Sequence, residues 1–87
     1  MSWESSIKEF KYYLQIERSL AQNSVEAYIR DINKLATYCS KINKSETSTS
    51  TKDIRKFILE LNDNGISARS QARIISGVKS FYKYLII

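Results

Sequence analysis

Almost nothing in this chain interrupts a helix: proline is absent, and the only glycines are Gly65 and Gly77. Proline and glycine are the residues that cost a helix most, and long alternations of β-branched and polar residues, which would argue for strands, are missing as well. The default expectation is therefore a set of uninterrupted helices. With 87 residues, of which 43% are hydrophobic, the chain has material for one small core and no room for two. The expected fold is all-α, one domain over residues 1–87.

The apolar spacing divides the chain into four helices. Over about 3–18, Trp3, Ile7, Phe10 and Leu14 fall four, three and four residues apart and share one face. Tyr12 and Ile16 lie off that stripe but four apart, a second, smaller apolar strip. It reads either as ordinary surface or as a contact for another domain or protomer. After a break at Ser19–Gln22, a second helix over about 22–42 carries Val25, Tyr28, Ile32, Leu35 and Cys39 inward. Its outward side gathers Asn23, Ala27, Arg30, Lys34 and Lys41, with Glu26 and Asp31 at the margins.

Residues 43–51 are small, polar and hydroxyl-rich, with nothing apolar to bury, so a flexible surface loop is expected there. Ser50 and Asp53 form a capping-box pattern that opens a third helix over about 51–63, with Ile54, Phe57, Ile58 and Leu61 inward. Asn64-Gly65 ends it, because these residues tolerate the left-handed conformation of a helix C-terminus. Ser67 is placed to cap a fourth helix over about 68–86, whose stripe is Ile74, Ile75, Val78, Phe81, Tyr82 and Leu85. The apolar ending Tyr84-Leu85-Ile86-Ile87 carries no stop signal, which suggests a fragment of a longer protein.

Charge narrows the partner. The formal net charge is +5, and beyond Asp63 the chain holds Arg69, Arg73, Lys79 and Lys83 with no acid. Such a segment calls for an anionic partner: nucleic acid, an acidic protein or a lipid surface. No run approaches the ~18 apolar residues of a membrane span and no basic-then-apolar leader opens the chain, so a cytoplasmic protein without membrane contact is expected. Cys39, the single cysteine, sits on an apolar stripe and reads as a small buried hydrophobe.

On the fourth helix Arg69, Arg73, Ser76, Ser80 and Lys83 project roughly opposite the stripe, with Gly77 beside them. Small Ser76, Gly77 and Ser80 would let a bulky partner approach closely, while Arg69 and Arg73 could fork onto guanine edges or phosphate oxygens. Ser67 and Ser70 add donors at the positive end of the helix dipole. A solvated face is the competing reading of any one basic helix. Two helices, each opening with small polar residues (Asn23-Ser24 and Ser67-Ala68-Arg69-Ser70), make nucleic-acid binding as good a reading.

Enzyme chemistry is not visible. With no histidine in the chain, histidine-based acid–base catalysis and histidine metal sites are excluded within it, and no cofactor or metal is expected. Tyr13, Tyr28 and Tyr82 lie on or beside apolar stripes; Tyr12, Tyr38 and Tyr84 look more exposed, yet nothing nearby would activate them as nucleophiles.

Three stretches taken in order, Leu14 to Ile32 with its Tyr28-x-x-Asp31, Asp53-Ile54 with Phe57-Ile58 and Leu61, and Gly65 to Leu85 with Ser70-x-x-Arg73 followed by Phe81-Tyr82, resemble the core-binding, SAM-like N-terminal domain of Xer-type and phage-integrase tyrosine recombinases. The resemblance covers nearly the whole chain. It implies a four- or five-helix bundle of SAM-like orthogonal packing, one jaw of a clamp on double-stranded DNA that turns its second and fourth helices to the major groove. The other jaw, a catalytic domain of the same chain, would perform strand cleavage and exchange, and other recombinase protomers would assemble on the DNA. By position, Asn23, Ser24 and Ala27 would lie at the DNA-facing start of helix two and Arg69, Ser70 and Arg73 at that of helix four. Ala21 stands where the family often has a Ser or Thr cap, and the family's catalytic residues have no counterpart here. Two other readings stay open at this point, a non-enzymatic helical module that binds an acidic protein and a small helix-turn-helix regulator.

Overall fold

A computed structural model describes residues 2–86. Four helices follow in order: α1 (Trp3–Ile16), α2 (Gln22–Lys41), α3 (Thr51–Asp63) and α4 (Ala68–Ile86), with no strand among the described residues. The all-α expectation holds, and the boundaries agree to within two residues. Met1 and the terminal Ile87 lie outside the described residues.

The helix ends follow from local chemistry. Ser2 caps α1 by accepting from the Ser5 amide, and Ser67 caps the first turn of α4 by accepting from the Ser70 amide at 3.2 Å. At α3 the capping box is complete: the Asp53 amide donates to Ser50 Oγ and the Ser50 amide to Asp53 Oδ2. These bonds, with Lys44 nearby, hold the Asp53 carboxyl below the usual carboxylate range. Ala21 begins α2 without a side-chain cap, as its methyl group dictates. Gly65, at φ +80°, takes the left-handed turn after α3. α1 stops at Ile16, two residues short of the expected end, because Tyr13 and Leu14 carbonyls turn to the amides of Glu17, Arg18 and Leu20 while Ser19 goes to positive φ.

The four stripes meet in one core of Ile7, Phe10, Leu14, Val25, Ile32, Leu35, Ala36, Cys39, Phe57, Leu61, Ile74, Val78 and Phe81. α2 and α4 each pack against all the other helices, whereas α1 and α3 do not touch, so α2 and α4 form the central pair with α1 and α3 on either flank. Phe10 meets Phe81 edge-on at 5.3 Å and Trp3 stacks on Phe81 at 5.9 Å, which anchors α1 to the C-terminal half of α4.

Four expectations need correction. The 43–51 loop is pinned rather than loose: Glu46 is buried and accepts a hydrogen bond from Ser6 Oγ at 2.8 Å, and Trp3 Nε1 donates to the Lys44 carbonyl at 3.0 Å. Tyr38 and Tyr84 are half-buried, packed on Phe57 and on Phe10 with Tyr13, respectively. Asp31, read at the margin of an outward face, is fully buried. Gly77 faces inward: a Cβ there would stand 3.1 Å from the Tyr28 ring, so its smallness serves the approach of α2 to α4 and not that of an outside partner.

Candidate nucleic-acid interface

The α2–α4 crossing organises the basic surface. Tyr28 and Asp31 lie against Gly77, and Asp31 reaches Arg73, so the helices meet near residues 28–31 and 73–77. The crossing is six to nine residues from the N-terminus of α2 and five to nine from that of α4, or about 7–14 Å along either axis. It thus lies in the N-terminal half of both helices. Their first-turn amides, other than the Ser70 amide that Ser67 Oγ caps, carry the positive end of the helix dipole.

At the centre stands an ion pair. Arg73 Nε donates to Asp31 Oδ2 at 3.0 Å and Nη2 to Oδ1 at 2.9 Å, a two-pronged fork across 42 positions of sequence. The carboxylate is wholly enclosed, while the Arg73 side chain remains 48% exposed. The bonds and the charge of Asp31 push the already high guanidinium pKa further up, so Arg73 is a permanent cation. Arg73 is thus committed along one edge and open along the other. The sequence pointed to Arg73 and missed the role of Asp31. Part of the signal was present, an acid at the margin of the outward face of α2, but Arg73 read as lying opposite the α4 stripe and so not as a partner for it.

Around the pair, Asn23, Ser24 and Arg30 on α2 and Ser67, Arg69 and Ser76 on α4 are exposed, and Ala27, Ser70 and Ser80 are half-buried. Ser67 and Ser70 spend part of their hydrogen-bonding capacity on each other, at 3.2 Å between hydroxyls. Two predicted residues stand apart. Lys34 is half-buried and lines a shallow cleft toward α3 with Tyr38, Phe57 and Glu60. Lys83 is exposed but lies about 21 Å beyond Arg69 along α4, fourteen residues at ~1.5 Å each. On the flank formed by α1, Tyr12 and Ile16 are 52% and 72% exposed, beside Glu9 and Glu17.

Among the described residues there is no cluster of ligands fit for a metal ion, and no helix is long and apolar enough to cross a membrane.

Known proteins resemble the chain over almost its entire length. It is 33% identical over 84 residues to tyrosine recombinase XerD of Chlorobaculum tepidum, 97% of this chain and 28% of that protein. It is 35% identical over 83 residues to tyrosine recombinase XerC of Pseudomonas savastanoi pv. phaseolicola, 94% of this chain and 28% of the relative. With tyrosine recombinase XerD of Rickettsia conorii the identity is 40% over 80 residues, 92% of this chain and 26% of the relative. The chain thus spans little more than a quarter of the length of these relatives. No solved structure matches it. Residues 7–87 match the phage integrase N-terminal SAM-like domain, and the chain belongs to that family.

Proposed function

We propose that this chain is the DNA-gripping domain of a tyrosine recombinase, which lays the N-terminal ends of α2 and α4 toward the major groove of duplex DNA while a further domain of the same protein cleaves and exchanges strands. The α2–α4 crossing carries this reading. It joins the N-terminal halves of α2 and α4, whose exposed sides carry Arg30, Arg69 and the open edge of Arg73. Helix N-termini offer free amides to phosphate, and arginines beside them reach phosphate or base edges. Asn23, Ser24, Ala27, Ser67, Ser70, Ser76 and Ser80 supply short side chains that allow close approach. Lys34 and Lys83, set apart from the crossing, would meet phosphate only. The names of the relatives support the recombinase assignment. In the same assembly, Tyr12 and Ile16 would meet a neighbouring protomer.

A salt titration of the full-length recombinase on duplex DNA tests the reading. Arg69→Ala should cost about 1–3 kcal/mol and flatten preference at one base pair, whereas Lys83→Ala should weaken all sequences alike and lower the salt slope by roughly one. Equal, sequence-independent losses would reduce α4 to a phosphate-binding surface. Binding that duplex DNA does not compete for, but an acidic protein does, would replace DNA with an acidic protein as the partner. Tight operator binding by a dimer of this chain alone would instead identify a regulator.

A further inference from the structure

Asp31 is a carboxylate with no exposure and, among the described residues, a single side-chain partner, and that partner is half in solvent. Stability does not account for the arrangement. Burying a carboxylate is costly, and an apolar pair of similar volume would hold the same crossing without that desolvation. What a fork adds is orientation. Two parallel bonds fix both the position and the plane of the guanidinium, which a single contact leaves free to swing. Asp31 occupies the Nε and Nη2 edge of Arg73, and Nη1 has no protein partner among the described residues. The open edge is held beside the outward arc of α4 that carries Arg69 and Ser76. Behind it, Gly77 admits the Tyr28 ring, so the helices are fixed in the approach that the ion pair spans.

We infer that Asp31 is a positioning residue for DNA recognition: by holding Arg73 as a rigid fork and tying α2 to α4, it makes selectivity among DNA sequences depend on an acid that does not itself touch DNA. The inference rests on the DNA-gripping reading. Its electrostatic sign separates it from a charge effect. Removing an acid from a protein that binds a polyanion should tighten sequence-independent binding. Loosening the fork should at the same time reduce discrimination, because a mobile arginine meets right and wrong sites equally well.

The measurement is a selectivity ratio for the full-length recombinase: affinity for the best duplex selected from a random pool, divided by affinity for a scrambled duplex, at fixed salt. Asp31→Asn should lower the ratio about tenfold, the discrimination carried by one base pair, while affinity for the scrambled duplex stays level or rises. Arg73→Lys keeps the charge but loses the fork, and should lower the ratio similarly. The double variant Asp31→Leu with Arg73→Met should melt at or above the parent temperature and still show the low ratio. A ratio unchanged in Asp31→Asn would overturn the inference, and so would a ratio restored by the apolar pair together with its stability, since the pair would then be only structural. Failure of the unmutated protein to bind duplex DNA at all would be seen first, and would overturn the DNA-gripping reading from which this one is built.

Discussion

The aromatic residues of the core differ in how far each tolerates change. Phe57 and Phe81 are enclosed, 2% and 0% exposed, and truncating either to Ala should destabilise by about 3–5 kcal/mol, much of the stability of so small a domain. A thermal melt of Phe81→Ala that superimposes on the parent would contradict this. Tyr82 is another case. Its hydroxyl is buried with Thr49 nearby but no well-formed hydrogen bond among the described residues, and burial pushes the phenol up to about 12. The unfolded chain releases that proton near the ordinary tyrosine value of about 10, so stability is full below pH 10 and falls as pH rises toward 12. Tyr82→Phe removes a buried hydroxyl that makes no well-formed hydrogen bond among the described residues, so at neutral pH it should lie within about 1 kcal/mol of the parent or above it. Between pH 10 and 12 it should lose less stability than the parent, as measured by urea melts across that range.

At the scale of elements, what could be read from the sequence was whatever depends on one helix at a time. The stripes of α1 to α4, the Ser50–Asp53 box and the turn at Gly65 are matters of period, cap and backbone freedom, and they are found where the spacing put them. Contacts between elements were less legible. Asp31 and Gly77 looked outward on a helical wheel because the wheel does not contain the second helix that covers them. The same limit hid the loop before α3, whose polarity suggested mobility while its partners, Ser6 and Trp3, lie some forty residues away in α1. That tether makes a prediction. Ser6→Ala would remove the one side-chain hydrogen bond that Glu46 makes among the described residues, leaving its buried carboxyl group without a partner there, at a cost of about 1–3 kcal/mol. Hydrogen exchange of residues 44–49 should accelerate more than that of the core helices; uniform acceleration would mean that the bond supports the whole fold and not the loop.

For the whole molecule, the arrangement separates two surfaces. The α2–α4 crossing presents cations around helix N-termini, and the α1 flank presents Tyr12 and Ile16 beside Glu9 and Glu17. On the proposed function, the first surface would grip DNA and the second would meet a neighbour without competing for the same residues. The α1 strip is two exposed side chains wide, far below the ~1,000 Å² that a specific stable interface usually exceeds, so it cannot hold two free copies together. Two protomers held side by side on one duplex face each other at a much higher effective concentration, and there a weak contact suffices. The chain alone should therefore sediment as a monomer at micromolar concentration. If the proposed function holds, Tyr12→Ala with Ile16→Ala in the full-length protein should leave binding to a single half-site unchanged and reduce cooperative filling of a two-half-site duplex several-fold, read by mobility shift across a protein titration. Cooperative filling equal to that of the parent would remove the strip from the assembly; an equal loss on the single half-site would place it in the grip on DNA instead.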